Sequence, residues 1–329
     1  MPAADQTAPM TIDEIDPNLH PALRKVPALN LENAFMLALI GRASRLQPGA
    51  TVDGVERWIV HDGSVRVRVF TPAEPNGSAL LWIHGGGLVM GAAAGDDRFC
   101  GDTARDTGAV VVSVDYRLAP RHPFPAANDD VHAAFGWMKA NADELGIGVD
   151  RIAIGGASAG GGLAAALVQR LHDEGERPVA QLLFCPMLDD RTAANRDLDA
   201  RGHLVWNNRS NLVGWRSYLG TEPGSPEVPD YAVPARRGDL TGLPPTWTYW
   251  TDVELFGEED AAYAQALAAA GVEVTTEVVS AAPHGFEVWA GQSELAERLL
   301  RGARGWLARQ VAAPAPAPAS EREPEASVD

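Results

Sequence analysis

The sequence predicts an α/β domain, a mostly parallel sheet with helices on both faces. Three observations carry that reading. Short unbroken apolar runs recur at 79–83, 109–114, 151–155 and 180–184, and strands covered on both faces read that way. Between them lie longer stretches with a helical pattern, such as 128–141, where Val131, Phe135 and Met138 share one side, and 159–172, dense in Ala and Leu. The two kinds of segment alternate, which implies parallel strands joined by crossover helices.

Taken in order, residues 1–50 carry an amphipathic helical pattern around 31–46 and do not fit the alternation. From Val55 onward the chain turns to strands. Val65, Val67 and Val69 alternate with Arg66, Arg68 and Phe70, a half-buried strand of period two. The four apolar runs follow, then a strand at 246–250, an alternating strand through Val272, Val274, Thr276 and Val278, and a closing helix over 293–310. Residues 189–237 interrupt the order with a long, Trp-bearing segment rich in Pro, Gly and Arg. Such segments at the carboxyl edge of a parallel sheet shape a ligand crevice. The division expected is an N-terminal cap segment at 1–50, a catalytic domain at 51–311 with a cap insert at 189–237, and a disordered Pro/Ala-rich tail at 312–329.

Composition narrows the function. With 46% hydrophobic and 22% charged residues the chain is globular rather than disordered. A formal charge of −17 disfavours nucleic acid and anionic lipid surfaces as partners. The longest apolar run, 34–40, falls far short of the roughly 20 residues of a membrane span, so no membrane insertion is expected. Residues 1–17 lack a basic start and an apolar core, so no signal peptide is read and a cytoplasmic setting is expected. Two cysteines, Cys100 and Cys185, show no zinc spacing and are expected as buried free thiols. A homo-oligomer stays open.

The chemistry begins at Gly156-Ala157-Ser158-Ala159-Gly160, which follows one predicted strand and opens a predicted helix. In that setting G-x-S-x-G forms a sharp turn that lifts the serine hydroxyl above the sheet at a helix N-terminus. Ser158 is the expected nucleophile. His84-Gly85-Gly86-Gly87 follows another strand, and its glycines leave backbone amides open to a substrate oxygen. The amides of Gly86, Gly87 and Ala159 are the expected oxyanion donors. A serine needs a base. With the order nucleophile, acid, base, His172, His203 and His284 remain; the first sits far along the nucleophile's helix and the second in the insert. That leaves His284, in Ala282-Pro283-His284-Gly285-Phe286 after the last strand. The acid should follow the strand at 246–250, where Asp252 and Glu254 are both in reach. Glu258 and Glu259 read as carboxylates favoured in a first helical turn.

On these residues the chain resembles the hormone-sensitive-lipase-like family of α/β-hydrolases, from about Ala79 to near Gln310. The H-G-G-G motif, the serine elbow continued by Gly160-Gly161, and Pro283-His284-Gly285-Phe286 all match the family's pattern. So does Tyr116-Arg117-Leu118-Ala119-Pro120-Arg121-His122-Pro123-Phe124-Pro125, with Arg121 in place of a glutamate. Registering Leu255-Phe256, Glu258-Glu259 and Tyr263 on the family's acid motif puts Glu254 on the acid position, with Asp252 as the rival. Two departures stand out: a glutamate where an aspartate is usual, and Ala157 where an aspartate is common. Arg117 is expected to pair with a carboxylate such as Asp129 or Asp130.

The resemblance implies a serine carboxylesterase acting on short- to medium-chain esters through an acyl-enzyme. Trp206, Trp215 and Phe35 are candidates for an apolar pocket. Cofactor and metal are expected to be none, since no phosphate loop, dinucleotide turn or H-E-x-x-H pair is found. Two other readings compete: the same triad acting on a lactone, amide or carbamate, and a non-catalytic ligand receptor on this scaffold.

Overall fold

The computed structural model describes residues 8–27, 31–46, 49–63 and 65–312. The first seven residues of the N-terminal segment and nearly all of the tail predicted over 312–329 lie outside the described residues. The core is one eight-stranded sheet: β1 (Val55–Asp62), β2 (Val65–Pro72), β3 (Ala79–Ile83), β4 (Val110–Val114), β5 (Ile152–Ala157), β6 (Gln181–Phe184), β7 (Thr246–Thr251) and β8 (Val274–Val279). Their order is β1-β2-β4-β3-β5-β6-β7-β8. β1 and β2 form an antiparallel hairpin at one edge, β2 pairs antiparallel with β4, and all other pairings are parallel. β1 is not singled out by the sequence, because Val55 to Asp62 shows no period-two alternation and Ile59 is exposed.

Alternation within the strands assigns each side chain to a layer. On one face Leu81, Ile83, Val110, Val112 and Ile154 join Val131, Phe135, Leu163 and Leu167 from the helices Ala126–Ala140 and Ala159–Asp173. On the other, Leu80, Trp82, Val111, Leu182 and Phe184 pack against Cys100 and Ala104 of the helix Asp97–Thr107. Leu299, Trp306 and Leu307 of the closing helix Glu294–Ala312 complete that layer. Every residue of β3 is buried on both faces. Each large apolar side chain taken out of water there contributes about 1.5–3 kcal/mol. Both cysteines are buried free thiols.

Element bounds shift by a few residues from the sequence reading. The helix predicted over 128–141 begins at Ala126, β5 runs on to Ala157, and β8 begins at Val274. Arg117 pairs with Asp130: Nε donates to both carboxylate oxygens at 2.9 and 3.0 Å, Nη2 donates at 2.7 Å, and the Arg117 amide adds a bond of 2.8 Å. The loop between β4 and the next helix is thereby tied down.

A charged knot fastens the hairpin to the helix Asp97–Thr107. Asp97 is fully buried and takes Arg68 through two bonds, at 2.6 and 2.7 Å, and Arg57 at 2.5 Å. Removing the carboxylate strands two guanidinium groups against the core. Asp97→Ala is therefore expected to lower stability by about 3–5 kcal/mol, read from urea unfolding monitored by circular dichroism. A loss below about 1 kcal/mol would show that the knot is solvated.

Candidate active site

β5 ends at Ala157, the next residue is Ser158, and the helix begins at Ala159. The turn is strained: Ser158 has φ +54 and ψ −119, a backbone conformation that L side chains rarely adopt. Glycine is required beside it for space. A Cβ on Gly160 would stand 2.0 Å from the Ile83 carbonyl oxygen and 2.4 Å from that of His84. The strained turn is anchored by Ser158 N donating to Phe184 O at 2.8 Å, and by Gly162 N and Met187 N donating to Ser158 O at 3.1 and 2.9 Å.

Above this turn three side chains meet. Ser158 Oγ lies 2.9 Å from His284 Nε2, and His284 Nδ1 is hydrogen-bonded to Glu254 Oε2. A carboxylate only accepts, so Nδ1 carries the proton and Nε2 faces the hydroxyl as an acceptor. The other oxygen of Glu254 accepts the Thr251 amide at 2.7 Å, which holds the carboxylate in its pose. Both Glu254 and His284 are buried. Asp252 turns the other way. It is exposed, and its carboxylate accepts the Ala281 amide at 2.8 Å, bracing the loop that carries the histidine. Of the two candidate acids, Glu254 is the one that meets the imidazole. Trp289 Nε1 donates to His284 O at 3.1 Å and holds the same loop from below.

The glycine shelf lies beside the serine. A Cβ on Gly85 would come 3.4 Å from Ser158 Cβ. Gly86 and Gly87 both have positive φ, +122 and +59. Among the described residues, the amides of Gly86, Gly87 and Ala159 donate to no backbone carbonyl outside regular helix and strand bonding. Tyr116 secures the shelf by donating its hydroxyl to His84 O at 2.9 Å while stacking on the His84 ring. Trp206 roofs it, since a Cβ on Gly87 would sit 2.2 Å from the indole. Trp206 is therefore near the shelf, whereas Trp215 is core and Phe35 is 75% exposed. Phe35 stands at the surface.

Several side chains around the site carry no sequence signal. Glu259, read as a helix-terminus carboxylate, is buried and accepts the amides of Leu188 and Asp189 at 2.7 and 3.2 Å, as well as the Thr192 hydroxyl. It ties the start of the insert to the helix Gly257–Ala269. Burial lifts its carboxyl to about 8. Glu287, one turn past His284, is also buried and accepts the Tyr249 hydroxyl. Burial raises its carboxyl to about 7. Cys185, Glu254 and His284 place ligand-type atoms within 4.8 Å of one another. The carboxylate and imidazole are already engaged with each other, and burial pushes the Cys185 thiol well up, so it stays protonated and donates poorly to a metal.

Fold and site together define an α/β scaffold with a serine, a histidine and a carboxylate in hydrogen-bonded series at the carboxyl edge of a parallel sheet. Residues 80–288 match the family described by its α/β-hydrolase fold, and the chain belongs to that family. It is 33% identical to Esterase LipI of Mycobacterium tuberculosis over 235 residues, covering 70% of this chain and 73% of the relative. Carboxylesterase NlhH of the same species is 36% identical over 251 residues, covering 70% and 74%. Among solved structures it is similar to a bacterial heroin esterase, with a TM-score of 0.81 and 36% identity over 92% of this chain and 99% of that one. Esterase LipW from Mycobacterium marinum has a TM-score of 0.79 and 32% identity over 93% and 98%. Among the described residues no helix is long and apolar enough to cross a membrane.

The buried Glu287 gives the protein a pH-dependent stability. Its carboxyl rises from an ordinary 4.5 to about 7, so the folded chain keeps a proton that the unfolded chain has released. This contribution is full below the ordinary value and is lost as pH rises through about 7. Between about pH 5 and 8, the melting temperature of Glu287→Gln should therefore fall less than that of the unaltered chain, measured by calorimetry. Parallel slopes would assign the pH dependence to other groups.

Proposed function

We propose that Ser158 is the nucleophile of this carboxylic ester hydrolase, with His284 as its base and Glu254 as the acid that orients the base. The observation that carries the reading is the unbroken series from the Ser158 hydroxyl through both imidazole nitrogens to Glu254. Ser158 Oγ attacks the ester carbonyl carbon while its proton passes to His284 Nε2. The carbonyl oxygen becomes an oxyanion, and the amides of Gly86, Gly87 and Ala159 bind it. Each such donor contributes about 3–4 kcal/mol to the transition state. The intermediate collapses as His284 returns the proton to the departing alcohol. Water, deprotonated by the same imidazole, then cleaves the acyl-enzyme and frees the acid. Glu254 holds the ring in place and stabilises the imidazolium.

The substrates are short- to medium-chain carboxylic esters, small molecules in keeping with a site roofed by Trp206. The N-terminal segment and the insert 189–237 act together as its cap. Their mutual bonds support this: Met10 N donates to Arg201 O at 2.7 Å, and Arg201 reaches Ala8 O at 2.9 Å and pairs with Glu14. The cap also meets the shelf, because Ser44 Oγ donates to Gly91 O at 3.2 Å and accepts its amide at 3.1 Å.

Ser158→Ala should lower kcat on p-nitrophenyl butyrate by roughly four to six orders of magnitude, with the fold retained by circular dichroism. Turnover close to that of the unaltered chain would remove Ser158 from the reaction. Replacing Glu254 by Gln should cost roughly 10³–10⁴ in kcat, because the imidazole is then held by an amide that no longer favours its charged form. Asp252→Asn should change kcat by less than about tenfold, since a loop brace is all it touches. A larger loss for Asp252→Asn than for Glu254→Gln would reverse the assignment.

A further inference from the structure

A cavity of about 1010 Å³ opens between the helix Asp97–Thr107, the start of the closing helix and the chain around Pro21. Its inner end reaches Ala157, the residue before Ser158, and Glu287, three residues after His284. The chamber thus abuts the backbone of both segments that carry the serine and the histidine. The inner wall is aromatic, with Trp82, Phe99, Phe184 and Trp289. Trp82 and Phe99 lie with ring centroids 4.1 Å apart, and Phe184 presents its edge to both.

Two carboxyls complete that wall, and the side-chain donors that reach them are aromatic. Asp96 accepts the Trp82 indole at 2.7 Å. Glu287, 7% exposed, accepts the Tyr249 hydroxyl, and its Oε1 is buried with no hydrogen-bond partner among the described residues. The arginines at the mouth are already engaged. Arg98 pairs with Asp102 at 3.5 Å, Arg301 with Glu297 at 3.6 Å, and Arg304 with Asp106 at 3.1 Å. Lys25 stands exposed at the rim.

We propose that this chamber seats a protonated amine, so that the esters this protein prefers carry a basic nitrogen in the acyl or the alcohol part. The inference rests on the esterase reading above for its kinetic arm alone. A cation suits the site in two ways: it adds opposite charge beside two carboxyls whose side-chain hydrogen bonds come from aromatic groups, and aromatic faces attract it. An occupant without a hydrogen-bond donor would leave Glu287 Oε1 unpaired. The net charge of −17 draws cations toward the molecule as a whole.

The two acids also make binding pH-dependent. Glu287 faces Tyr249 from β7, Cys185 from the turn after β6, Glu254 from the loop after β7, and His284 on its own loop. Asp96 faces Trp82 and His84 from β3 and its loop, and its neighbour Asp97. Burial raises both carboxyls, Glu287 to about 7. An arriving cation favours the ionised form, so it expels a proton and binds more tightly as pH rises through about 7.

Two pairs of isosteric esters test this: p-nitrophenyl 4-(dimethylamino)butyrate against p-nitrophenyl 5-methylhexanoate, and acetylcholine against 3,3-dimethylbutyl acetate. In one pair kcat/KM for the cationic ester should exceed that of its neutral isostere by about tenfold or more. The pair that responds locates the nitrogen on the acyl or the alcohol side. Glu287→Gln and Asp96→Asn should each bring that ratio toward one. Calorimetric titration of the Ser158→Ala protein with benzyltrimethylammonium needs no turnover. Binding should release protons, read from buffers of different ionisation enthalpy, and should strengthen between about pH 6 and 8. Ratios at or below one in both pairs, ratios unmoved by both substitutions, or no binding of benzyltrimethylammonium would each overturn the proposal. If no ester is turned over, the esterase reading falls, and the calorimetry still decides whether the chamber binds a cation.

Discussion

The site depends on a steric constraint: the end of β3 and the start of the helix Ala159–Asp173 pass so closely that only glycine fits between them. The carbonyl oxygens of Ile83 and His84 occupy the space where a Gly160 side chain would stand. That approach brings the loop after β3 and the turn after β5 together, with Gly85 directly beside Ser158. The positive φ of Ser158 is the cost of this crossing. The bonds from Ser158 N to Phe184 and from Met187 to Ser158 O offset it.

The His284 imidazole is supported from several directions. Glu254 engages Nδ1, Trp289 holds the backbone oxygen of His284, and Asp252 ties the preceding residues through the Ala281 amide. The two acidic residues after β7 thus share the work. One faces the ring, and the other faces the loop that carries it. The extra methylene of a glutamate is accommodated because Thr251 N binds its second oxygen, which turns the longer side chain back toward the strand end.

Buried acids are unusually dense around this arrangement. Glu254, Glu259, Asp260 and Glu287 are all buried in the region where β7, the helix Gly257–Ala269 and the histidine loop meet. Like charges in a low dielectric cannot all ionise together cheaply, and burial raises Glu259, Asp260 and Glu287. Raised carboxyls beside Glu254 lessen the negative charge that competes with it for the imidazole. The Glu259 carboxyl, bonded to Leu188, Asp189 and Thr192, also links this cluster to the insert above the sheet.

The parallel sheet, the elbow at Ser158 and the glycine shelf were legible in the sequence because each depends on local composition: apolar runs for covered strands, and small residues where backbone must approach backbone. His284 was reached by chain order, and the motif register placed Glu254 on the acid position. Three-dimensional packing decided the rest. Whether Asp252 or Glu254 meets the histidine turns on which side of the strand end each projects, a difference of two positions that spacing leaves open. Glu287, Tyr249 and Trp206 act through contacts between segments far apart along the chain, and no local pattern records such contacts. The same holds for Asp97, whose two arginine partners come from the hairpin strands β1 and β2.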